Sequence, residues 1–368
     1  MIADNPWVDA LVRMGIIALA VPLSVIILTY VERKISGRLQ MRLGPMRVGP
    51  YGTLQGVADA IKFLTKEDLR PQTADRWTFE LAPFVVVVPV FLAFVTLPFT
   101  ADLFVRNLTL GLFYIVAVSG LSIVGFVMAG WGSDNKYALL GGVRAAAQLI
   151  SYEIPLVLAV VAVAMLGQSL NLVALVEAQG RVPFIVWQPL AFFIFMVAGL
   201  AELYRQPFDI PVAESEVVGG PFVEYSGIRW TMFQMGEFAS MVIISVLASL
   251  LFLGGWNWPL GEEVGLALQA PLIFVKTSFF ILLFMWLKFS LPRLRIDQMM
   301  AFCWQILLPF AFLQIIINGW VLVYGWPDWV LGVTSGLATL TAGYLTYRGA
   351  RQAAVPVSPR LHRVGSAF

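Results

Sequence analysis

Long apolar runs separated by short polar segments form the pattern of this chain from end to end. A helix needs about 20 mostly apolar residues to cross a bilayer, and charge-free stretches of about 18 are candidates. The runs are apolar on every face, whereas strands of a membrane barrel alternate between apolar and polar positions. Nine runs approach or exceed that length: 14–31, 81–101, 107–133, 154–176, 182–201, 238–261, 271–287, 298–327 and 329–347. The pattern predicts an all-α polytopic membrane protein with about nine transmembrane helices.

The composition supports a membrane protein and excludes several kinds of site. Charged residues make up 12% of the 368 positions, about half the share in a typical soluble domain. The chain has one cysteine, Cys303, and one histidine, His362, so a disulfide, a cysteine-ligated cluster and a bis-histidine haem are excluded. It lacks the glycine-rich motifs of dinucleotide and ATP sites. We expect no metal site, and any redox cofactor should belong to a partner.

Lysine and arginine concentrate on one side of the predicted spans, and such an excess marks the cytoplasmic loops of membrane proteins. Nine lie between the first two spans, seven in later loops on the same side and four in the C-terminal tail. The other side has Arg13, Arg106 and Arg181. This bias predicts an N-terminus outside and a C-terminus inside. Membrane topology therefore explains the basic side of the protein more simply than nucleic-acid binding does.

The long first inner loop contains a segment with helical spacing of apolar residues. Residues 53–65 place Asp59 and Lys62, three apart, on the polar side of such a helix. This arrangement predicts an amphipathic helix at the membrane surface. Two roles stay open for this helix. It can simply pack at the membrane interface, or it can form the lip of a cavity where a lipophilic substrate leaves the bilayer. The apolar side is formed by Leu54, Val57, Ala58, Ile61 and Leu64.

Several charged residues lie inside or at the ends of the predicted spans, where inserting a charge costs about 2.5–3.5 kcal/mol. Glu153 directly precedes an apolar run, and such an acid more often marks an ion path than a packing hydrogen bond. Glu202 and Arg205 are three residues apart, which leaves a helix-end ion pair open as an alternative. Glu237 opens the sixth span on the same side. Lys276 is close enough to the outer edge to extend its ammonium group to water.

Residues 202–227, ELYRQPFDIPVAESEVVGGPFVEYSG, are unusually acidic for this apolar chain. Pro207 and Pro211 prevent a regular helix there. A solvated loop is one interpretation, but apolar neighbours such as Phe208 and Val217 favour burial. If the loop folds back between the spans, its acids can form a proton-accessible chain together with Glu153 and Glu237. The acids of the stretch are Glu202, Asp209, Glu214, Glu216 and Glu224.

A series of short motifs runs in a fixed order through residues 32–298. The first loop contains "ERK", "ADAIK" and "KED"; "NKYALLGGVRAAAQLISYE" follows, and then "PFD", "AESEVV", "EYSG", "GEF" and "RLRIDQ". In these motifs the chain resembles the H subunit of bacterial NADH:quinone oxidoreductase (respiratory complex I), the counterpart of the first membrane-encoded subunit of mitochondria. The resemblance covers most of the chain.

The resemblance implies a membrane subunit of a proton-pumping NADH:quinone oxidoreductase. Such a subunit forms the floor of a quinone chamber beneath a peripheral arm whose subunits carry flavin and iron–sulfur clusters. Quinone is then a substrate, no cofactor is bound by this chain alone, and the partners are other complex I subunits, including small membrane subunits next to antiporter-like ones. The implied quinone-cavity residues are Glu32, Arg33, Arg42, Asp59, Lys62, Arg205 and Asp209. The implied proton-linked chain consists of Asp209, Glu214, Glu216, Glu224, Glu153, Glu202 and Glu237, with Lys136 and Arg144 nearby.

The chain also departs from the family pattern. Val212 stands where the family usually has the glutamate of "PFDLPEAE", so one carboxylate of the loop is missing. We expect an eight-helix core over residues 1–327 and an additional C-terminal helix with a basic tail over 328–368, in the bacterial cytoplasmic (inner) membrane. Two other functions stay open: the membrane anchor of an energy-converting hydrogenase, and a stand-alone cation/proton antiporter.

Overall fold

The computed structural model describes residues 6–180, 182–259 and 265–353, and every regular element within these ranges is helical. This confirms the predicted all-α membrane fold. The first half contains α1 (Pro6–Leu39), α2 (Gln55–Thr65), α3 (Arg76–Phe94), α4 (Gly111–Ser119), α5 (Ser122–Gly132), α6 (Lys136–Gly167), α7 (Leu172–Ala178) and α8 (Phe184–Trp187). The second half contains α9 (Pro189–Glu202), α10 (Glu214–Val217), α11 (Gly227–Phe252), α12 (Leu266–Ser290), α13 (Ile296–Phe302), α14 (Leu308–Tyr324) and α15 (Asp328–Ala353).

Seven helical segments within the described residues are long and apolar enough to cross a membrane. They include two composite segments, α4 with α5 and α13 with α14, the latter joined by a π-helical turn at Cys303–Leu307. The remaining two predicted spans correspond to α9, which has 14 residues, and to α15, which is long but not among the seven. The count of nine therefore stays a prediction. Arg181 and the tail beyond residue 353 lie outside the described residues.

The helix of the fourth predicted span begins well before the predicted residue 154. This helix, α6, already begins at Lys136, where Asn135 caps the first turn by accepting a hydrogen bond from the Tyr137 amide at 2.9 Å. The sequence pattern hides these early turns because Arg144 and Glu153 interrupt the apolar run. Small residues let the first turns of α6 pack inside the protein despite these charges, and Glu153 then lies about 25 Å along the helix.

The α6 helix is the central element of the fold. It packs against α5, α9 and α14, while α11 packs against α3 and α12. The largest cluster of buried apolar side chains extends over these helices, and a smaller one surrounds Phe79 and Phe126. The helices that bring the charged residues together are therefore fixed by apolar packing along most of their length.

The amphipathic segment of the first loop is a helix, as predicted, and begins at Gln55. Its apolar residues Val57, Ile61 and Leu64 are exposed on the outside of the chain. Gly56 is buried against α1, where an added Cβ would lie 2.6 Å from a side-chain carbon of Ile26. The position of this helix at a membrane surface remains a prediction.

The acidic stretch folds into an irregular segment between α9 and α11 that contains only short helical turns. It contacts α6 at Gly141, where an added Cβ would lie 2.5 Å from the Cα of Gly220. Gly220 has a φ of 59° and lies so close to Pro211 that a side chain would collide with its carbonyl oxygen. The backbone of the acidic stretch can therefore approach α6 this closely only because both contact positions are glycine.

The last helix is attached to the core by buried polar contacts. Ser335 of α15 donates a hydrogen bond to Gln314 of α14 at 2.9 Å and accepts one from the Leu190 amide of α9 at 3.1 Å. Asn318 of α14 donates to the Ala162 carbonyl of α6 at 2.8 Å. The helix thus packs as part of the same bundle, and the division of the chain near residue 327 stays a prediction.

Candidate functional site: a carboxyl-lined cavity at one end of the bundle

A cavity of about 210 Å³ lies between α3, α11, the break between α4 and α5, and the end of α9. Glu202, Asp209 and Glu237 all line it, so three of the predicted proton-linked acids meet at one site. Lys288 of α12 also reaches its wall. Other polar groups in the wall belong to Ser119, Ser122, Tyr204, Gln206 and Ser240. Space and polar groups together make the cavity suitable for water and for proton exchange.

Partly buried ion pairs join four charged side chains beside this cavity. Arg205, which is 1% exposed, donates from Nη1 to Glu32 Oε2 at 2.7 Å, and its Nε lies 3.2 Å from Glu237 Oε1. Lys288 donates to the other oxygen of Glu32 at 2.7 Å. Each cation therefore has a carboxylate partner, and Glu32 is shared by both. Such pairs offset the large cost of removing charges from water.

This pairing corrects one alternative for Arg205. The possible ion pair between Glu202 and Arg205 does not form, because α9 ends at Glu202 and Tyr204 adopts a left-handed φ of 50°. The helical three-residue spacing is lost at that point. Arg205 binds Glu32 of α1 and Glu237 of α11 instead, while Glu202 has no ion pair among the described residues.

One buried amide fixes the turn that carries Tyr204 and Arg205. Gln148 of α6 donates from Nε2 to the Ala201 carbonyl at 2.7 Å and to the Phe208 carbonyl at 2.8 Å. Both ends of the turn are thus bound to the same nitrogen atom. The side chain of Gln148 is fully buried, so water cannot easily replace these bonds.

The predicted residue Asp209 lies where the cavity meets the acidic stretch. Its carboxylate accepts a hydrogen bond from Arg293 Nη2 at 2.6 Å, and Arg293 Nη1 donates to Ser215 Oγ at 3.0 Å. Arg293 therefore connects the acidic stretch to the loop after α12. Val212, at the position of the missing family glutamate, also lines the cavity and makes that part of the wall apolar.

Glu153 lies near the cavity, at the break between α4 and α5. An added Cβ at Gly120 would lie 2.6 Å from Glu153 Oε1, and Ser119 and Ser122 on either side of that break line the cavity. Glu153 is also close enough to Glu202 to interact with it electrostatically. Glu153 therefore lies near Glu202, and its place in a proton-linked chain stays a prediction.

The remaining acids of the stretch lie away from the cavity wall. Glu216 binds Arg144 of α6 at 2.6 Å, and Glu224 accepts a hydrogen bond from Asn135 at 2.6 Å. Glu214 is exposed at the start of α10 and has no ion pair among the described residues. The place of these three acids in a proton-linked chain stays a prediction.

The predicted quinone-cavity residues fall into separate groups. Asp209 lines the cavity, and Arg205 and Glu32 are joined by ion pairs to its lining residues Glu237 and Lys288. Asp59 instead binds Arg33 and Lys62 between α1 and α2. Burial of Asp59 opposes its ionisation, but the hydrogen bonds and charges of Arg33 and Lys62 outweigh this and lower its pKa. Arg42 lies in the exposed loop and donates to Gln40 at 2.8 Å, apart from both groups.

Lys276 shows a different way of accommodating a cation. It is 8% exposed, its ammonium donates to the carbonyls of Leu253 at 2.7 Å and of Gly255, and it lies 5.5 Å from the centre of the Trp258 ring. The predicted extension to water is therefore wrong. The carbonyls just past the end of α11 attract the ammonium, as helix C-termini attract cations.

Sequence reasoning misses Lys288, Arg293 and Tyr204 as site residues. Lys288 and Arg293 contribute to the sequence pattern only as charges on the inner side, although the motif "RLRIDQ" includes Arg293. No pattern in the sequence distinguishes Lys288 from a residue at the membrane surface. Tyr204 gives no signal, since a tyrosine at a helix end is usually a packing residue.

Comparison with known proteins gives a consistent result. The NADH dehydrogenase family model matches residues 12–319. The chain is 45% identical over 329 residues to a protein of Rhizobium meliloti that is named as the second NADH-quinone oxidoreductase H subunit of that organism, covering 84% of this chain and 98% of that protein. It is 44% identical over 332 residues to the H subunit of Dehalococcoides mccartyi, covering 90% and 92%. The H subunit of Brevibacillus brevis is 46% identical over 295 residues, covering 80% and 88%.

Proposed function

Because the chain belongs to the NADH dehydrogenase family, as a homologue of the H subunit of NADH-quinone oxidoreductase, we propose that it couples quinone reduction to proton translocation. In this proposal it contributes the membrane side of the quinone chamber. Electrons come from flavin and iron–sulfur clusters held by partner subunits. The observation that carries the proposal is the cavity lined by Glu202, Asp209 and Glu237 next to the ion pairs of Arg205 and Lys288.

The arrangement supports coupling for an electrostatic reason. Quinone reduction consumes protons, and a change of charge on one carboxyl group alters the free energy of ionisation of its neighbours in a weakly polar environment. Glu32 accepts bonds from both Arg205 and Lys288, so a change at one cation affects the other. Glu237 and Asp209 line the same cavity. A local change of charge can therefore spread among these groups without a continuous row of ion pairs.

We place the inner side of the chain at the cytoplasmic face of a bacterial membrane. The ion pairs of Arg205, Lys288 and Arg293 lie at the end of the bundle where lysine and arginine are concentrated, which is the cytoplasmic end by the positive-inside rule. The exposed apolar residues of α2 and of the first loop lie at the same end. They offer contact area to the peripheral-arm subunits or to the lipid surface.

The test is the Asp209→Asn substitution in the whole complex, reconstituted into vesicles. The amide keeps the size of the side chain but removes the negative charge that binds Arg293. We expect normal assembly and a loss of at least tenfold in proton pumping, with slower quinone reduction, measured per assembled enzyme. The matched control is Glu80→Gln, which removes a carboxylate bound to Arg70 and Arg76 away from the cavity and should leave both rates unchanged.

Different outcomes point to different functions. Normal pumping and quinone reduction in the Asp209→Asn enzyme contradict the proposed role of the cavity. Purification of the chain with a nickel–iron partner, and no quinone activity, assigns it to a hydrogenase. Isolation as a single chain that exchanges cations for protons assigns it to an antiporter.

A further inference from the structure

One side chain in the cavity wall has a polar group that no contact of the protein uses. The hydroxyl oxygen of Tyr204 is buried and has no hydrogen-bond partner among the described residues. Buried polar groups in folded proteins nearly always have a partner from the protein or from water. Tyr204 lines the same cavity as Glu202, Asp209 and Glu237. The hydroxyl therefore has access to space in which a partner can bind.

The backbone holds Tyr204 in an unusual conformation at this place. Its φ of 50° lies in the left-handed region, which residues other than glycine, asparagine and aspartate seldom adopt. The Gln148 amide binds the carbonyls of Ala201 and Phe208 on either side. The next residue, Arg205, is fixed by Glu32 and Glu237. The turn is therefore held at both ends, so Tyr204 keeps this conformation.

The ring of Tyr204 is fixed as well. It meets the ring of Phe126 edge to face, with the centres 4.8 Å apart. This contact limits rotation of the side chain. Burial, followed by the nearby Glu202 carboxyl, raises the pKa of the Tyr204 hydroxyl well above its usual range. The hydroxyl therefore stays protonated and can donate a hydrogen bond.

We propose that the Tyr204 hydroxyl binds a water molecule in the cavity and relays protons between Glu202 and the carboxyl groups of Asp209 and Glu237. In each transfer the hydroxyl gives its proton to a water molecule on one side and receives a proton from a water molecule that bridges it to the acid on the other side. The tyrosine is neutral before and after the step, and no oxidant or reductant is required. This relay rests on the proposed proton-coupling function and adds a residue that carries no charge to it.

The experiment compares Tyr204→Phe with the wild-type complex in vesicles, measuring quinone reduction and pumped protons per assembled enzyme. Phenylalanine keeps the ring against Phe126 and removes only the hydroxyl. We expect proton pumping to fall about tenfold, the effect of losing one useful hydrogen bond. The matched control is Tyr225→Phe, which removes a buried hydroxyl that donates to the Phe79 carbonyl at 3.1 Å and does not line the cavity. Pumping by the control should equal that of the wild type.

A second variant tests the relay if Tyr204→Phe does not assemble. Tyr204→Asn suits the left-handed backbone, so it should assemble. Its amide can donate a hydrogen bond but cannot pass a proton on, so proton pumping per assembled enzyme should again fall about tenfold. Full pumping by the phenylalanine variant, or by an assembled asparagine variant, overturns the relay. Failure of the wild-type complex to pump overturns the proposed function itself, so the two failures are distinguishable.

Discussion

Helix α12 carries two lysines that the protein treats in opposite ways. Lys288 lies in the last turn of the helix, lines the cavity and binds the carboxylate of Glu32 at 2.7 Å. Lys276 lies twelve residues earlier, about 18 Å along the same helix. It binds the backbone carbonyls of Leu253 and Gly255 at the end of α11. The two residues share a type, a helix and an apolar setting, but they differ in what accepts their hydrogen bonds.

This difference separates a site that can respond to charge from one that can only hold the fold. A carboxylate can take up a proton or change its cation, and both changes alter the field at its neighbours. A backbone carbonyl can do neither under ordinary conditions. The Glu32 cluster, in which Arg205 and Lys288 share that carboxylate, is therefore suited to coupling changes of charge between neighbouring groups. The hydrogen bonds of Lys276 stabilise the C-terminal end of α11.

Among these predictions, Arg205→Met should have the largest effect, and it disturbs the Glu32 cluster. The substitution leaves Glu32 and Glu237 without their buried guanidinium partner, and loss of one partner from a buried ion pair costs about 3–5 kcal/mol. We expect little assembled complex, measured by native electrophoresis, and at least a hundredfold loss of quinone reduction. Arg229→Met, which removes the ion pair with Asp68, is the control. Normal assembly and activity of the Arg205 variant contradict the assignment.

Lys276→Met tests the role of the other lysine of α12. Two carbonyls lose a charged donor, so we expect the free energy of unfolding to fall by about 2–3 kcal/mol. The measurement is the temperature at which the solubilised complex loses activity, together with proton pumping at moderate temperature. Pumping per assembled enzyme should be unchanged. A variant with normal thermal stability and lost pumping would show that Lys276 takes part in proton translocation.

The smallest expected effect concerns Asp59, which lies outside the spans in α2. Its two ion pairs involve exposed cations, so Asp59→Asn should cost about 0.5–1 kcal/mol. Because the folded-state pKa of Asp59 is lowered from 3.8, its contribution is present above that pH and disappears as the pH falls through the lowered value. Thermal inactivation of variant and wild type should therefore differ at about pH 7 and converge as the pH falls below 3.8. A constant difference at all pH values contradicts this origin.

Much of the fold is predictable because membrane crossing imposes a length on each apolar run. The limits of such prediction appear at α6 and α9. The α6 helix continues through Arg144 and Glu153, whose partners or surroundings come from other helices. The α9 helix has 14 residues, although the apolar run that predicts it is longer, because a break at Gln188, which precedes Pro189, divides the run between α8 and α9.

The acids of the site are predictable and their partners are not. Glu202, Asp209 and Glu237 stand out in the sequence as charges among apolar residues, and all three line the cavity. Arg205 binds a carboxylate 173 positions away, and Lys288 binds the same group from 256 positions away. Spacing along the chain contains no information on such contacts. For the same reason the sequence does not show that Lys288 binds a carboxylate and Lys276 backbone carbonyls.

Gln148 illustrates how narrowly a single position can be constrained. Its one nitrogen atom serves two carbonyls, at Ala201 and Phe208. Asparagine is one methylene shorter, and the carboxylate of glutamate would set oxygen against oxygen at both contacts. A codon for glutamine becomes one for glutamate by a single base change. The turn that carries Tyr204 and Arg205 can therefore be disrupted by one point mutation at a residue outside the turn.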